Sequence, residues 1–255
     1  FNLNFMKTSN NFFENINERI KNSVSLKLFT ITILMLLLLI PASMIESIIH
    51  EREKLNKEVR EEVSSKWARQ QQINGPILSI PVLYEEEKDG KTITNQKYWN
   101  LLPENLTVEA EITPKSLKRG IYEVVVYSSE IRCTGTFDLE TLPKPDNIKE
   151  ILYQQAFFTI GISDLRGIKN QVTFHCNQST LKPSPGIKLT DLMYSGLTFP
   201  TSFLEDGITT IPFSFALDLQ GSHNLSFVPL GNTTQVKVSS PWTTPSFIGN
   251  FLPDH

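Results

Sequence analysis

An uncharged run of 18 residues, LFTITILMLLLLIPASMI at Leu28–Ile45, constrains this chain more than any other feature. As an α-helix it would be about 27 Å long, close to the thickness of the hydrocarbon layer of a bilayer. A cleaved signal peptide, with Ala42-Ser43 before the cleavage site, is one alternative, but its apolar region usually has only about 7–15 residues. A buried core helix is a second alternative, and such a helix rarely lacks polar residues all round. We therefore expect a transmembrane helix.

The predicted orientation follows from the length of the chain on either side of this run. Basic residues flank the run at similar distances on both sides, so their distribution does not set the direction. Long domains cross the membrane largely regardless of their charge, and the longer part follows the run. We therefore expect a cytoplasmic arm at 1–24, a transmembrane helix at 25–46 and the rest of the chain beyond the membrane.

A helical stalk is predicted at 47–74. The segment Glu46–Gln72 has neither Gly nor Pro and is dense in charges of both signs. Its apolar residues recur at helical spacing, at Ile45, Ile48, Ile49, Leu55, Val59, Val63 and Trp67. This stripe packs either against a second helix in a coiled coil or against the chain's own domain, and fewer than four heptads are present. We expect one helix from about Ser25 to Gln72, which Asn74-Gly75-Pro76 ends.

A β-rich domain is predicted at 75–255. Apolar and polar residues alternate there, as in Leu106–Ile112, Phe213–Gln220 and Val236–Ser239, which is typical of half-buried antiparallel strands. Turn signals such as Asp89-Gly90 and Asp206-Gly207 separate the runs. About ten to twelve strands and at most one short helix, near 147–155, are expected. The predicted fold class is mainly β, with a sandwich or a large twisted antiparallel sheet.

The composition argues against several classes of function. The 24 Lys and Arg residues do not outnumber the 27 Asp and Glu residues, whereas a nucleic-acid partner needs a basic face. Two cysteines are too few for a Cys₄ zinc site. The four histidines lie in no HxH or HExxH pattern, and the chain has no GxSxG motif or Gly-rich phosphate loop. The sequence therefore predicts no catalytic residue, no metal ligand and no cofactor.

Three polar or sulfur-containing groups remain as candidates, each with a structural alternative. Cys133 and Cys176 share strand faces with apolar residues, so they form either a disulfide or two buried, unpaired thiols. Asp164 and Arg166 form either a polar pair at a site or a turn capped by the aspartate. The acidic run Glu85–Glu87 is either a cation site or the exposed tip of a hairpin.

Three blocks of sequence carry a resemblance to a known family. The first is SSKWARQQQINGPILSIPV, with Trp67, Gln71, Gly75, Pro76 and Pro81. The second comprises Leu102-Pro103, Arg119-Gly120-Ile121-Tyr122-Glu123-Val124 and Tyr127. The third contains Pro229, Gly231, Ser240, Trp242, Pro245-Ser246-Phe247, Gly249 and Phe251-Leu252-Pro253. Together they resemble the CreD family of bacterial inner membrane proteins, although Thr243-Thr244 stands where the family pattern has a Pro-His pair.

The resemblance implies a non-enzymatic role in the integrity of the cell envelope, including tolerance to colicins, as part of a stress response. It implies a location in the inner membrane, with the N-terminus in the cytoplasm and the β-rich domain in the periplasm. The expected partners are the lipid bilayer and other envelope proteins. Family members continue into further hydrophobic helices, so the resemblance also implies that this chain is truncated at its C-terminus.

Four aromatic residues of the matching blocks are the predicted interface residues. They are Trp67, Trp242, Phe247 and Phe251. An exposed cluster of such side chains would mark a protein interface, and packing of the stalk against the domain is the alternative. A ligand-sensing ectodomain coupled to the membrane through the stalk is a second functional hypothesis. A periplasmic hydrolase acting on cell-wall or lipid substrates is a third, and it needs a cleft with a nucleophile or carboxylate pair near His175 or His223.

Overall fold

The computed structural model describes residues 24–88, 91–140, 142 and 145–250. Helix α1, Val24–Trp67, contains 44 residues and includes the predicted apolar run. It is long and apolar enough to cross a bilayer, and none of its apolar window is buried in the protein. The N-terminal arm predicted at 1–24 lies outside the described residues except for Val24.

The chain divides into two compact units, 1–58 and 59–255. In the first unit the α1 side chains are exposed almost throughout, including those of Ile48, Ile49 and Leu55. Ion pairs four residues apart lie along this part of the helix, such as Lys57 Nζ to Glu53 Oε1 at 3.0 Å. The second unit contains the last turns of α1 and the β-rich domain.

The predicted end of the helix is wrong by about one turn. α1 ends at Trp67 rather than near Gln72, and the first strand already begins at Gln71. Backbone pairing with two other strands holds Gln71–Ile73 in an extended conformation. Gly75-Pro76 therefore lies inside that strand, at a bulge, rather than terminating the helix.

The described ranges contain thirteen strands after the helix. In chain order they are β1 (Gln71–Lys88), β2 (Lys91–Leu101), β3 (Asn105–Arg119), β4 (Tyr122–Asp138), β5 (Ile148–Ile151), β6 (Phe157–Ile162), β7 (Thr173–Cys176), β8 (Ser179–Leu181), β9 (Ser184–Pro185), β10 (Gly196–Pro200), β11 (Thr210–Ser222), β12 (Leu225–Phe227) and β13 (Thr233–Ser239). The short helix expected near 147–155 is instead β5 and a 3₁₀ turn, Tyr153–Gln155.

The strands form two sheets that pack face to face. Sheet A has the order β12-β1-β6-β10-β9, and β2 and β5 also pair with the long strand β1. Sheet B has the order β13-β3-β4-β11-β7-β8. Most neighbours are antiparallel, whereas β12 and β13 each pair in parallel with an earlier strand. This arrangement is a β-sandwich, so the mainly β fold class is confirmed.

Phenylalanine rings from both sheets fill the centre of the sandwich. Phe174 of sheet B lies at its middle, with its ring centroid 4.8 Å from that of Phe158 and 5.2 Å from that of Phe199, both in sheet A. Phe213 and Phe215 of β11 stack on it from within its own sheet, at 5.9 and 5.6 Å. Their strands alternate between buried and more exposed residues, as the sequence pattern predicts.

Replacement of Phe174 by Ala should destabilise the sandwich by about 3–5 kcal/mol, because it removes a fully buried ring and leaves a cavity. Urea unfolding of the full chain in detergent micelles, followed by near-UV circular dichroism, measures this loss. Phe247→Ala is the matched control, since that ring is exposed and its loss should cost less than about 0.5 kcal/mol. Equal midpoints for the two variants would contradict the described core.

Candidate functional site

The last turn of α1 is fixed to the β-sandwich by side chains that sequence analysis only partly identified. Trp67 Nε1 donates a hydrogen bond to the carbonyl oxygen of Tyr127 on β4, at 3.2 Å. Val59, Val63 and Trp67 are half-buried, and Ser64 and Ala68 are buried. This part of the apolar stripe therefore packs on the chain's own domain, the second of the two predicted alternatives. We call this contact region the helix junction.

A chain of hydroxyl groups lies at the centre of the helix junction. Ser222, at the end of β11, donates from Oγ to the carbonyl oxygen of Ala68 at 2.8 Å. The Ser222 and Ser64 hydroxyl oxygens are 2.8 Å apart, and Ser64 Oγ lies 3.3 Å from His223 Nε2. Since each hydroxyl has one proton and Ala68 O can only accept, all three bonds form together when Ser64 donates to Ser222 and His223 Nε2–H donates to Ser64.

The segment Ser163–Gly167 caps the end of the helix. Arg166 Nη1 donates to the carbonyl oxygen of Ser65 at 3.1 Å, which satisfies a carbonyl group left free at the helix end. The Asp164 carboxylate accepts from Arg166 Nη2 at 2.6 Å and Nε at 2.9 Å, and from the backbone N–H of Arg69 at 3.1 Å. The turn capped by Asp164, the second of the two predicted alternatives, is therefore confirmed, and the aspartate also forms an ion pair with Arg166.

Electrostatics make Asp164 a permanently charged member of the helix junction. Hydrogen bonds from the Arg166 side chain lower the pKa of Asp164 to about 2. Its side chain is only 10% exposed, whereas that of Arg166 is 55% exposed. The pair is thus partly shielded from solvent and stays ionised at any physiological pH.

The side chain of Gln71 connects the capping segment to both sheets. It is fully buried at the start of β1, and its Nε2 donates to the carbonyl oxygens of Asp164 at 2.9 Å and Gln220 at 3.1 Å. Its Oε1 accepts from the backbone N–H of Asp164 at 3.3 Å. A Cβ atom on Gly167 would collide with Gln71 Nε2 and with Gln220 O, so only glycine fits there.

Tyr127 closes the other side of the helix junction. Its hydroxyl donates to the carbonyl oxygen of Asn224 at 2.8 Å, and burial raises the pKa of the phenol far above its ordinary value. A Cβ atom on Gly221 would collide with the hydroxyl oxygen of Tyr127 and with the ring carbon that carries it. The tyrosine therefore acts as a neutral hydrogen-bond donor whose position depends on the absence of a side chain at residue 221.

His175 and His223 do not share a cleft. His175 on β7 pairs with Ser214 of β11, whereas His223 follows Ser222, so they lie about 26 Å apart along that strand. His175 contacts Thr180 at 3.0 Å. His223 does contact the Ser64 hydroxyl, but Ser64 and its neighbour Ser222 are buried and could not meet a substrate.

The two cysteines are free and buried, which is the second of the two alternatives that the sequence left open. Cys133 pairs with Phe215 and Cys176 with Phe213, on opposite edges of β11. Two interstrand spacings therefore separate them, about 9–10 Å, which exceeds the reach of a disulfide. Burial raises the pKa of both thiols to about 12, which makes them poor nucleophiles.

The acidic run Glu85–Glu87 lies on the β1–β2 hairpin and is exposed. This agrees with the predicted hairpin rather than with a cation site. Glu86 pairs with Lys97 at 2.9 Å and Glu85 with Lys149 at 3.0 Å. Among the described residues no group of three acidic, histidine or cysteine side chains is arranged to hold a metal ion. The predicted turn residues Asp89-Gly90 lie outside the described residues.

The edge strand β13 leaves an apolar surface uncovered. In its parallel register with β3, Val236 pairs with Val108 and Val238 with Ala110. Val108 and Ala110 are buried, but Val236 is 46% and Val238 is 42% exposed. No other described strand pairs with β13. We call β13 and the following residues to Asn250 the edge surface.

The predicted interface residues fall in two different places. Trp67 belongs to the helix junction, whereas Trp242 and Phe247 are exposed on the edge surface, with Ile248 beside them at 79% exposure. Phe251 lies outside the described residues. Trp67 therefore packs within the chain, the alternative to an interface, whereas the interface role of Trp242, Phe247 and Phe251 stays a prediction.

Loss of the Asp164 charge should weaken the helix junction at neutral pH. Because the folded protein holds the carboxylate below its ordinary pKa, its stabilisation is complete above pH 3.8 and disappears as the pH falls towards 2. Asp164→Asn should cost about 1 kcal/mol at pH 7, after allowance for solvent screening, and almost nothing at pH 2. Urea unfolding at the two pH values measures the difference. Glu140→Gln, at an exposed carboxylate, is the control, and an equal loss at both pH values for Asp164→Asn would contradict the role assigned to this charge.

Comparison with known proteins identifies the family of this chain. The family model described as inner membrane protein CreD matches residues 23–255. The inner membrane protein CreD of Escherichia coli (strain K12) is 31% identical over 224 residues, which cover 86% of this chain and 49% of the relative. The chain thus spans about half the length of the curated relative that it matches. No solved structure gives a significant match. The chain belongs to the CreD family of inner membrane proteins.

Proposed function

We propose that this protein is a non-enzymatic, membrane-anchored binding or scaffolding protein of the bacterial cell envelope. In this proposal α1 crosses the inner membrane with its N-terminus in the cytoplasm, and the β-sandwich lies in the periplasm. The role would be the maintenance of envelope integrity, including tolerance to colicins during a stress response. The bilayer is the partner of α1, and other envelope proteins are the partners of the sandwich.

The edge surface is the observation that carries this proposal. Val236 and Val238 face the same side as the buried core residues of β3, yet they remain 46% and 42% exposed. An open strand edge is normally blunted by a bulge, a proline or several charges. Lys237 is the only charged residue between 233 and 250, and β13 contains no proline. Such an edge accepts a further strand from a partner.

Exposed aromatic residues continue the edge surface beyond the strand. Trp242 is 41% and Phe247 is 53% exposed. Aromatic anchors of this kind contribute much of the binding energy at protein interfaces. A protein partner would combine backbone pairing along β13 with burial of these rings, and the uncharged segment that follows the strand carries them.

The buried state of the hydroxyl groups supports a non-enzymatic role. A serine nucleophile must meet its substrate, whereas the Ser64 and Ser222 hydroxyls are enclosed at the helix junction. The cysteine thiols are buried and protonated. These groups therefore serve the structure, and binding through the edge surface is the function that the geometry favours.

The helix junction favours a second candidate function, that of a sensor. α1 is one helix from its apolar segment to the junction, and sheet B contacts its end through Ser222 and Tyr127. Gln71 of sheet A bonds the segment that caps this end. A change in the sandwich on ligand binding would therefore act directly on the helix end. In this alternative the sandwich is a ligand-binding ectodomain.

Photo-crosslinking in intact cells tests the scaffolding proposal. A photoreactive amino acid at Phe247 should give an adduct with another envelope protein, whereas the same group at Tyr194, which is fully exposed and outside the edge surface, should not. The double variant Val236→Lys, Val238→Lys should lose the adduct, because two charges on the uncovered face prevent pairing. Mass spectrometry identifies the captured protein.

Three outcomes would contradict the scaffolding proposal. The first is equal capture from Phe247 and Tyr194, which would mean nonspecific proximity. The second is an adduct confined to the protein's own polypeptide, which would assign the edge surface to an internal contact. The third is an unchanged adduct in the double lysine variant. Colicin sensitivity of cells that produce the double variant then tests the physiological role, and we expect it to match that of cells lacking the protein.

A further inference from the structure

The backbone of β13 presents a regular set of hydrogen-bonding groups on its open side. The N–H of Thr233 donates to the carbonyl oxygen of Glu104 at 2.9 Å, so Thr233 directs its backbone groups towards β3. Successive residues of a strand direct their N–H and C=O groups alternately to the two sides. Thr234, Val236 and Val238 therefore direct theirs away from sheet B. In the described ranges no other backbone group pairs with them.

The side chains of the same residues set the chemistry of the inner face. In the parallel register Val236 lies opposite Val108 and Val238 lies opposite Ala110, and both β3 residues are buried. The two valines remain 46% and 42% exposed at the end of the sheet. A strand added to β13 would place every second side chain on this face, beside the valines. Apolar side chains there would bury the uncovered surface.

Charges of alternating sign follow one row across the outer face of sheet B. Lys237 of β13 is exposed and lies opposite Glu109 of β3, which in turn lies opposite Arg132 of β4. Opposite charges on neighbouring strands favour pairing, whereas like charges directly opposite one another disfavour it. A carboxylate on an added strand, opposite Lys237, would continue the alternation. A lysine or arginine at that position would meet a like charge.

We propose that the edge surface binds an extended segment of an envelope protein in which apolar and polar residues alternate and a carboxylate lies opposite Lys237. The inference rests on the binding function proposed above and specifies the chemistry of its partner. In antiparallel pairing, Thr234, Val236 and Val238 would each exchange two hydrogen bonds with the residue opposite. The apolar side chains of the segment would cover the two valines.

The charge row favours a different protein over a second copy of this chain. Lys237 is the only charged residue between 233 and 250, so the β13 of a second copy has no carboxylate to offer. Its strand would place an uncharged side chain or another lysine opposite Lys237. The partner is therefore a segment with an acidic residue of its own.

Binding of synthetic peptides to the full chain, in micelles of a non-ionic detergent, tests this inference. The peptide TVEVEVT has the proposed pattern in either direction, and TVKVKVT has lysines in place of both glutamates. Fluorescence anisotropy of the labelled peptides should show that the acidic peptide binds tighter by about threefold or more. The peptide VVVTTEE has the composition of TVEVEVT without the alternation and should bind more weakly than TVEVEVT does.

A charge reversal on the protein identifies the lysine that sets this preference. Lys237→Glu should prefer TVKVKVT to TVEVEVT, because the like charge now lies opposite the glutamates. Lys182→Glu is the matched control and should keep the preference of the wild type. Lys182 is exposed and directly follows β8, at the opposite edge of sheet B.

Three results would overturn the inference. They are equal binding of TVEVEVT and TVKVKVT by the wild type, no binding of any peptide, and an unchanged preference in Lys237→Glu. If Lys237→Glu does not fold, the comparison of the three peptides on the wild type decides alone.

These results are distinguishable from a failure of the proposed function. Capture of an envelope protein from Phe247, without a preference for the acidic peptide, would reject this inference and retain the scaffolding proposal. The expected peptide preference, without any captured protein in cells, would reject the scaffolding proposal and retain the binding chemistry of the edge surface.

Discussion

The carbonyl groups at the end of α1 impose the main constraint on this protein. A helix that ends against a β-sandwich cannot leave them buried without partners, because each unpaired group would cost about 1–3 kcal/mol. Arg166 and Ser222 provide the donors, at Ser65 and Ala68 respectively. Gln71 then ties the capping segment to β11. The sandwich is thereby built around the helix end, which accounts for the compact unit that begins at Val59.

Strand β3 connects the helix junction with the edge surface. Its first half pairs with β13, and Arg119 at its end forms an ion pair with Glu62 of α1 at 2.8 Å. A partner strand added to β13 would therefore extend the sheet that also receives the helix end. Strand β3 thus links the proposed binding surface and the helix junction within one sheet.

The sequence was sufficient to predict the elements whose pattern is local. The apolar run of α1 and the alternating residues of β3 and β11 depend only on burial and periodicity, and both were confirmed. The helix junction depends on contacts between residues 60 to 159 positions apart, which no local pattern contains. Gln71 and Tyr127 lie in the sequence blocks that resemble the family, but the sequence did not show that their side chains need the space left by Gly167 and Gly221. That packing is visible only in the folded structure. Cys133 and Cys176 are also far apart in the sequence, so their spacing could not decide between a disulfide and two free thiols.

An engineered disulfide tests the helix junction most directly. The hydroxyl oxygens of Ser64 and Ser222 are 2.8 Å apart, so cysteine sulfur atoms at these two positions would lie within reach of each other. In a chain with Cys133 and Cys176 replaced by Ala, the variant Ser64→Cys, Ser222→Cys should oxidise nearly completely under mild conditions. Peptide mapping would then join the α1 end to the β11 end, whereas Ser65→Cys with Ser222→Cys should stay reduced. Failure of the first pair to bond in folded protein would contradict the junction on which this account depends.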